Sequence, residues 1–358
     1  MKKKIAIIGT QGVPAKYGGF ETLVENLLGV NCPDNIHYTV FCSSSDYKNK
    51  IPTYKNATLK YIPLHANGYQ SILYDIISMI RCIGKYDTLL ILGVSGCIFL
   101  PILRLFYRKK IIVNIDGLEH RRNKWGKYTK KFLKLSEKIA IKYANVIVTD
   151  NKGIQDYAKE EYKINSEMIA YGGDHVLCEI SKNESYDILS SYKIAKNEYS
   201  FSVCRIEPEN NVHIILSAFE QTNEKIVFVG NWMANDYGKK LFEKYQNSSN
   251  IKLLSPIYDI KILNVFRSNC RFYLHGHSAG GTNPSLVEAM FFGKPIFAYD
   301  VIYNKETTEY KANYFSDINE LSDLLSSCSF EENAIAMKSI AHKRYKWNFI
   351  ANQYINLY

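Results

Sequence analysis

The sequence predicts a two-domain α/β protein in which each domain is a doubly wound, mostly parallel sheet. The chain has 358 residues, which suits two domains of about 150–180 residues better than one. Short apolar runs alternate with segments of helical spacing, the pattern of a parallel sheet covered on both faces. The alternation fades over the polar stretch 175–198 and then restarts, which indicates a linker between two domains.

The elements follow in order along the two domains, assigned to residues 1–180 and 195–340. The first domain is predicted to contain strands at 5–8, 38–42, 59–62, 89–92, 111–115 and 146–148, with helices at 20–28, 71–83 and 127–143. The second is predicted to contain strands at 200–203, 225–229, 251–254, 272–274 and 295–298, with helices at 212–219 and 285–292. A final helix, 341–358, is expected to pack back on the first domain.

The longest apolar stretch, 88–106, is interrupted by Gly93, Gly96 and Pro101. A membrane-spanning helix needs about 20 apolar residues, so a buried strand, a glycine turn and a buried helix are predicted instead. The eight cysteines are scattered without a C-x-x-C pair, which indicates reduced thiols in a cytoplasmic protein and disfavours a structural zinc site.

Positive charge is concentrated in one segment, residues 104–142. It holds thirteen Lys or Arg and three acidic residues, while the whole chain has a net charge of +10. Helical spacing over 127–143 predicts an outward lysine stripe opposite an apolar side made of Phe132, Leu135, Ile139 and Tyr143. Such a stripe would suit an anionic membrane surface; an ordinary solvated helix face is the alternative. Nothing in the segment resembles a nucleic-acid-binding module. The stripe residues proposed for docking are Lys127, Lys131, Lys134 and Lys138.

A glycine-rich loop, G-T-Q-G-V-P-A-K-Y-G-G-F-E-T, runs from Gly9 to Thr22 between the first strand and the first helix. Glycines let the backbone approach a ligand closely, and free N–H groups at a helix start attract anions. A plain strand-to-helix turn is the alternative. A nicotinamide dinucleotide site is disfavoured, because the G-x-G-x-x-G spacing is missing and no acidic residue ends the second strand.

Two further polar segments follow predicted strands. Asp116 and His120 lie in V-N-I-D-G-L-E-H-R-R, directly after the strand 111–115, and Arg205 follows the first strand of the second domain. Polar groups at the carboxyl ends of parallel strands are often site residues, and an arginine there can bind a diphosphate with two hydrogen bonds. A solvated turn and a surface arginine are the respective alternatives.

The most specific segment is H-G-H-S-A-G-G-T-N-P-S-L-V-E-A-M, from His275 to Met290. A strand leads into a glycine loop, and a helix is predicted to begin near Pro284, so backbone N–H groups are available to a phosphate. Glu288 lies among apolar neighbours and needs a partner, for which ribose hydroxyls would serve. The alternative is a capped helix with a salt-bridged Glu. His275 and His277 lack a third ligand and are interpreted as loop hydrogen-bonding groups.

Together these segments resemble the family 4 glycosyltransferases of the GT-B fold, in the subgroup with a rhamnosyltransferase-type N-terminal domain found in bacterial polysaccharide and capsule synthesis. The resemblance covers essentially the whole chain. It implies two Rossmann-like domains facing across a cleft. It also implies a retaining enzyme that transfers L-rhamnose from dTDP-rhamnose to a lipid-diphosphate-linked glycan. Such an enzyme would be peripheral on the inner face of the cell membrane.

The resemblance also implies roles for individual residues. Arg205 matches the family's donor-site arginine, whereas the neighbouring family lysine is replaced by Asn210. Glu288 matches the second Glu of the family's E-x7-E pattern, which holds the ribose, and the first Glu is replaced by Gly280. Asp116 and His120 fall near the reacting carbon. The loops that face the donor contain Gly18, Gly19, Gly280, Gly281, Thr282, Asn283 and Ser285.

No D-x-D motif occurs in the chain, so neither a metal nor another cofactor is expected. Three alternatives remain open at this point. The donor could be a UDP-hexose, or the protein could be a GT-B nucleotide-sugar epimerase. A different class of function is a non-catalytic protein that binds anionic ligands through the basic segment.

Overall fold

The chain divides into two compact units. The computed structural model describes residues 2–16, 18–30, 33–115, 117–122, 125–326 and 330–358. The first unit contains the chain up to Tyr171 together with Trp347–Tyr358, and the second contains Gly172–Lys346. Each unit combines a largely parallel sheet with helices, which confirms the predicted α/β class.

An eight-stranded sheet forms the centre of the first unit. Its strands are β1 (Lys3–Ile8), β2 (Ile36–Ser43), β3 (Thr53–Tyr54), β4 (Ala57–Ile62), β5 (Thr88–Leu92), β6 (Lys110–Asn114), β7 (Val146–Thr149) and β8 (Glu167–Met168). Their order is β3-β4-β2-β1-β5-β6-β7-β8, and only the β3–β4 pairing among these strands is antiparallel. All five residues of β5 are buried, as expected for a central strand covered on both faces.

The helices of the first unit begin with α1 (Gly19–Leu27), α2 (Gln70–Cys82), α3 (Leu100–Phe106), α4 (Lys127–Tyr143) and α5 (Lys152–Tyr162). The stretch 88–106 is a strand, a glycine turn and a helix, as predicted, but α3 is not a buried helix. Leu100 and Leu103 are fully buried, whereas Leu105 and Phe106 are 71% and 65% exposed. Of the helices that the structure describes, none is both long and apolar enough to cross a bilayer.

A six-stranded parallel sheet forms the centre of the second unit. Its strands are β9 (Ser200–Val203), β10 (Ile226–Val229), β11 (Ile251–Leu254), β12 (Tyr273–His275), β13 (Ile296–Tyr299) and β14 (Asn313–Phe315), in the order β11-β10-β9-β12-β13-β14. The helices are α6 (Lys182–Ser191), α7 (Val212–Glu220), α8 (Asp236–Tyr245), α9 (Ile260–Asn269), α10 (Pro284–Met290), α11 (Ile302–Thr307), α12 (Ile318–Ser326) and α13 (Glu331–Arg344).

The polar stretch 175–198, expected to be a linker, contains helix α6 and belongs to the second unit. The hydroxyl of Ser181 caps this helix by accepting a hydrogen bond from the N–H of Glu184 at 3.1 Å. Leu189 is its one fully packed side chain. With only one buried apolar residue, the helix has almost no apolar periodicity, which is why the sequence pattern did not reveal it.

The last helix, α14 (Trp347–Leu357), lies in the first unit, where it packs against α1. Tyr354 is fully buried, and its hydroxyl accepts a hydrogen bond from the side-chain amide of Asn114 at 2.9 Å. Asn114 ends the central strand β6, so a residue 240 positions away completes its hydrogen bonding.

Strand order identifies the binding edge of each sheet. In the first unit the strand order reverses at β1: the strands that follow it first, β2 to β4, lie on one side of β1, and β5 to β8 lie on the other side. In the second unit it does so at β9, whose neighbours are β10 and β12. At such a point the loops after adjacent strands diverge and leave a crevice for a ligand. The glycine loop after β1 and the segments after β9 and β12 all lie at these points.

Candidate functional site

The glycine loop of the first unit runs from the end of β1 to the start of α1. A Cβ atom on Gly9 would lie 2.0 Å from the carbonyl oxygen of Leu92, so only glycine permits this approach to β5. Gly18, with φ 132°, precedes α1, and Gly19 is its first residue. No side chain caps this helix end. The two predicted donor-loop glycines therefore lie at the start of α1, beside the carboxylate of Glu21.

Two carboxylates of α1 hold this loop, and sequence analysis assigned no role to either. Glu21 Oε1 accepts hydrogen bonds from the Gln11 N–H at 2.7 Å and from the Thr10 hydroxyl at 3.0 Å. Glu25 Oε2 accepts one from the Ala15 N–H at 3.0 Å. Burial raises the pKa of Glu21, although these hydrogen bonds oppose the shift. Two Glu residues one helical turn apart, directly after a glycine loop, were the pattern that could have revealed them.

His120 lies in a short turn after β6 and faces a buried carboxylate. Its Nδ1 is 3.0 Å from Oε2 of Glu137, whose Oε1 accepts hydrogen bonds from the hydroxyls of Tyr157 and Tyr162, each at 2.7 Å. Burial alone would raise the pKa of Glu137, but the contacts with His120 and the two tyrosines outweigh it and leave that pKa lowered. Asp116, predicted to act with His120, lies outside the described residues.

Arg205 follows β9, and its side chain is exposed. Its main-chain carbonyl accepts a hydrogen bond from the side-chain amide of Asn210 at 2.7 Å. Asn210, which stands where the resemblance placed a lysine, is only 2% exposed. It therefore shapes the Arg205 loop from within and presents no charge to a ligand.

The loops after β9 and β12 are hydrogen-bonded to each other. The side-chain amide of Asn211 donates to the carbonyl oxygen of Gly276 at 2.9 Å. The N–H and the hydroxyl of Ser278 both donate to the carbonyl oxygen of Glu209, at 2.9 and 2.8 Å. A Cβ atom on Gly276 would lie 2.2 Å from the carbonyl oxygen of Asn210, so the contact depends on glycine. Arg205 and the predicted phosphate loop thus belong to one connected structure.

Helix α10 begins at Pro284, as the sequence predicts. Oδ1 of Asn283 accepts hydrogen bonds from the N–H of Ser285 at 3.1 Å and from its hydroxyl at 2.9 Å. The Ser285 N–H, expected to be available to a phosphate, is therefore already bound within the protein. Gly280 has φ 117°, which side chains rarely tolerate. The rest of the predicted loop, Gly281 and Thr282, is buried.

Glu288 lies one turn into α10 and has partners within the protein. Its Oε2 forms an ion pair with the guanidinium of Arg267, which is 3% exposed, and its Oε1 lies 3.5 Å from Nε2 of His175. Burial lowers the pKa of His175, with Glu288 opposing the shift. Arg267 and His175 thus already provide the partners that a partly buried carboxylate requires, without a ribose. The Glu288 side chain stays 15% exposed, and the ribose contact remains a prediction.

His275 and His277 stack on each other with ring centroids 4.4 Å apart. His275 is 1% exposed, and burial lowers its pKa to about 3, so the ring is neutral. The pair packs at the end of β12, and the carbonyl of His277 accepts a hydrogen bond from the Asn304 amide at 2.9 Å. Among the described residues, no three His, Cys, Asp or Glu side chains are grouped so as to hold a metal ion.

The predicted lysine stripe on α4 is only partly correct. Lys127, Lys131 and Lys138 are exposed, but Lys134 pairs with Glu161 at 2.9 Å and contacts Tyr157. The predicted inner side is also only partly correct: Phe132, Ile139 and Tyr143 are partly buried, whereas the fully buried residues of the helix are Leu133, Ser136, Glu137 and Ala140. Leu135 is instead half exposed. Hydrogen bonds decided the packing: the Ser136 hydroxyl donates to the Val94 carbonyl at 2.5 Å, and Glu137 receives two tyrosine hydroxyls.

Comparison with protein families accounts for both units. A domain of unknown function, DUF1972, matches residues 2–174. The family described as glycosyl transferases group 1 matches residues 188–323, which include the connected loops after β9 and β12. The second unit therefore carries a group 1 glycosyl transferase domain.

Solved structures place this glycosyl transferase in the GT-B fold, as predicted. It aligns with sucrose-phosphate synthase from Thermosynechococcus elongatus with a TM-score of 0.80 and 16% identity, over 100% of this chain and 98% of that chain. It aligns with Anabaena HepE, solved in complex with UDP-glucose, with a TM-score of 0.75 and 15% identity, over 99% and 98% of the two chains. At these identities the likeness shows the fold alone.

A curated relative of the glycosyl transferase is a UDP-N-acetylglucosamine 2-epimerase homolog from Methanococcus maripaludis. The two are 35% identical over 82 residues, which are 21% of this chain and 23% of the relative. The chain thus matches less than a quarter of that protein's length.

The structure groups the predicted residues of this glycosyl transferase within each unit. In the second unit, Arg205 and the loop that leads to Glu288 follow the neighbouring strands β9 and β12. In the first unit, the glycine loop and the His120 turn follow β1 and β6, which are separated by β5.

Proposed function

We propose that the protein is a retaining glycosyltransferase that moves L-rhamnose from dTDP-rhamnose to a lipid-diphosphate-linked saccharide. The group 1 family match over residues 188–323 carries the transferase part, since it covers the connected loops at the strand-order switch of the second sheet. Ligands of doubly wound sheets bind at that edge. The proposal therefore assigns the donor to the second unit, with Arg205 toward the diphosphate and Glu288 toward the ribose.

The proposed chemistry is a front-side displacement. The bond between the anomeric carbon and the diphosphate oxygen breaks while an acceptor hydroxyl oxygen bonds to the same face of that carbon. The acceptor proton passes to the departing phosphate oxygen. Negative charge grows on the diphosphate during this step, so Arg205 and nearby N–H groups would stabilise the transition state more than the bound donor. No metal or other cofactor takes part, and Asp116 and His120 would act beside the reacting carbon.

Gly280 supports rhamnose as the transferred sugar. Hexose-using relatives are expected to carry Glu at this position, whereas φ 117° here suits glycine and disfavours any side chain. The site therefore offers the sugar no carboxylate at this point. Rhamnose, a 6-deoxyhexose, has one hydroxyl fewer to satisfy than glucose.

The acceptor is proposed to be lipid-linked because the basic segment 104–142 suits an anionic surface. Attraction to anionic lipids would concentrate the enzyme where a lipid-diphosphate acceptor is found. The enzyme would then be cytoplasmic and peripheral on the inner face of the membrane.

A panel of dTDP- and UDP-sugars tests the donor. A donor present at about 100 times its Kd should stabilise the fold by about 2.7 kcal/mol, which thermal unfolding detects. We expect dTDP-rhamnose to give the largest shift and to support release of dTDP when a lipid-diphosphate-linked acceptor is present. Turnover with UDP-glucose or UDP-N-acetylglucosamine but not with dTDP-rhamnose would reject the donor and keep the transferase. Stabilisation without turnover of any donor would indicate a binding protein.

The local match to an epimerase homolog keeps epimerisation as a second candidate. An epimerase converts its nucleotide sugar without an acceptor, whereas a transferase needs one. The protein is therefore incubated with donor alone, and the recovered nucleotide sugar is analysed by NMR. A new epimer under these conditions would favour the epimerase, and an unchanged donor would favour the transferase.

A further inference from the structure

We infer that one face of the first unit, built from α3 and α4, docks on an anionic lipid bilayer by inserting apolar side chains between lysines. This docking face consists of Ile102, Leu105, Phe106, Tyr128, Lys131, Leu135, Lys138 and Lys142. The inference rests on the membrane part of the proposed function, and it replaces the lysine stripe with a surface of different composition and mode of binding.

Helix α3 presents an apolar side to solvent. Ile102, Leu105 and Phe106 are 52%, 71% and 65% exposed, although Leu100 and Leu103 on the opposite side are fully buried. A helix that only covered the sheet would normally be polar on its outer side. Three large apolar side chains exposed within five residues therefore indicate an interaction surface.

Helix α4 continues this surface with alternating apolar and basic residues. Tyr128 is 87% exposed and Leu135 is 50% exposed. Lys131, Lys138 and Lys142 are also exposed. Positions 128, 131, 135, 138 and 142 are spaced by three and four residues, which places them on one helix face.

Arg104 fixes the ends of the two helices side by side. Its Nε donates to the carbonyl oxygen of Tyr143 at 2.8 Å, and one terminal nitrogen donates to Oδ1 of Asn145 at 2.6 Å. Helices α3 and α4 also pack directly on each other. The apolar side of α3 and the mixed face of α4 are therefore parts of one surface.

This surface carries no exposed negative charge from either helix. Helix α3 contains no acidic residue, and the one acid in α4, Glu137, is 1% exposed. Lys134 is neutralised by Glu161, so it contributes little to the potential at this face. Within the described residues, Lys131, Lys138 and Lys142 form no ion pair, which leaves their charge available to an anionic partner.

A bilayer explains this composition better than other partners do. Protein interfaces are depleted of lysine, which here alternates with the apolar residues. Nucleic acid would give Ile102, Leu105 and Phe106 no apolar environment. In an anionic bilayer, the apolar side chains enter the boundary of the acyl chains while the lysine heads remain among the phosphates. Helix α3 has seven residues, roughly 10 Å of helix, so it can lie in the interface but not cross it.

Vesicle flotation of the full chain tests the inference. The vesicles contain phosphatidylcholine alone or with about 30 mol% phosphatidylglycerol, which supplies the anionic surface. Wild type should bind the anionic vesicles and not the neutral ones. The apolar variant, Leu105→Gln with Phe106→Gln, should lose about tenfold or more in partition coefficient, because two apolar side chains no longer enter the bilayer. This loss should persist at low salt.

The charge variant carries Lys131→Gln, Lys138→Gln and Lys142→Gln. Each lysine near an anionic surface contributes about 1 kcal/mol, so the partition coefficient should fall about a hundredfold. Binding that remains should depend less steeply on salt than that of wild type, because three of the basic residues of the segment 104–142 are gone. The matched control, Ile302→Gln with Ile335→Gln, removes two exposed apolar residues of the second unit and should bind like wild type.

Leu105→Trp gives a second readout that does not depend on weakened binding. Its fluorescence should shift to shorter wavelength when anionic vesicles are added, because the indole enters an apolar environment. No binding by wild type, or equal binding by wild type and both variants, would overturn the inference. Dimerisation that the apolar variant abolishes in the absence of lipid would also overturn it, in favour of a second copy as the partner.

The test also separates this inference from the proposed reaction. Turnover of dTDP-rhamnose with a detergent-solubilised acceptor is measured for wild type and both variants. If the proteins bind vesicles as expected but neither wild type nor either variant turns over any donor, the docking face stands and the proposed function fails. If turnover is normal and wild type ignores vesicles, the docking face fails alone.

Discussion

Glu288 combines a structural and a proposed functional role in one side chain. It neutralises Arg267, which is buried, and it keeps 15% exposure toward solvent. We predict that Glu288→Gln lowers nucleotide affinity about tenfold or more, since a hydrogen bond to a charged group contributes about 1.5–3 kcal/mol. Isothermal titration calorimetry with the nucleotide measures the change. The variant also leaves a buried guanidinium without its counter-charge, so stability must be followed in parallel.

Arg267→Met provides the control for Glu288. It removes the same ion pair but leaves the carboxylate in place. If Glu288 contacts the ribose, both variants lose stability but only Glu288→Gln loses affinity. Equal affinity in the two folded variants would mean that Glu288 serves only to neutralise Arg267.

Asp75 makes the stability of the first unit depend on pH. It is 3% exposed, and burial raises its pKa to about 8 although the Gly96 N–H donates to Oδ2 at 3.1 Å. The unfolded pKa is about 3.9. Between these values the folded state holds the extra proton, so the free energy of unfolding falls as pH rises, by at most about 1.4 kcal/mol per unit.

Asp75→Asn should remove this dependence, because the amide stays neutral and retains an oxygen that accepts from Gly96. Urea unfolding at several pH values from about 5 to 9, a range that spans the shifted pKa, compares the variant with wild type. The stability difference should grow in favour of the variant as pH rises. Parallel profiles for the two proteins would show that folding does not raise the pKa of Asp75.

At the scale of elements, the two neighbouring glycines at the junction between the glycine loop and α1 differ in how well they would tolerate a side chain. A Cβ atom on Gly18 would lie 1.9 Å from Oε2 of Glu21, and its φ of 132° already disfavours a side chain. The three atoms nearest to a Cβ atom on Gly19 would belong to the Tyr171 hydroxyl and ring, the closest at 3.5 Å. The first glycine is required by the fold, whereas the second occupies an ordinary helical position.

We predict that Gly18→Ala lowers stability by about 1–3 kcal/mol, because backbone strain adds to displacement of the Glu21 carboxylate. Gly19→Ala should be neutral or slightly stabilising. Thermal unfolding compares the two. If Gly19 faces the donor phosphates, Gly19→Ala should reduce turnover without loss of stability. A destabilisation of Gly19→Ala as large as that of Gly18→Ala would refute the assignment.

At the scale of the whole molecule, the first unit is completed by the end of the chain. Tyr354 of α14 is fully buried and bonds Asn114 of β6. We predict that Tyr354→Ala destabilises the first unit by about 3–5 kcal/mol, the usual cost of deleting a buried aromatic side chain. The second unit contains neither residue, so the nucleotide binding proposed for it should survive.

Urea unfolding with and without nucleotide distinguishes the two units. The transition that nucleotide does not shift belongs to the first unit, and it should move to lower urea in Tyr354→Ala. Exposed Phe349, also in α14, supplies the control Phe349→Ala, which should change neither transition. A uniform loss in both transitions would show that the units unfold together.

The fold class, most strands and the positions of the loops could be predicted from the chain alone. Continuous apolar runs such as 89–92 are typical of buried strands, and glycine loops after them are local patterns. For the same reason the start of α10 at Pro284 was predictable, since helix capping involves adjacent residues. The family resemblance rested on these contiguous motifs. The group 1 match and the GT-B fold confirm its glycosyltransferase part, and the rhamnosyltransferase type stays a prediction.

Tertiary contacts alone settled which polar groups meet and which faces are covered. Glu288 forms an ion pair with Arg267 on another helix. Glu137 accepts hydrogen bonds from the hydroxyls of Tyr157 and Tyr162. Asn114 donates a hydrogen bond to Tyr354, which lies 240 positions later in the chain. Periodicity counts apolar residues, so it cannot anticipate a polar residue that is buried because distant partners satisfy it. It also cannot show that a helix side such as Leu105–Phe106 stays uncovered, because that depends on what the rest of the fold brings to it.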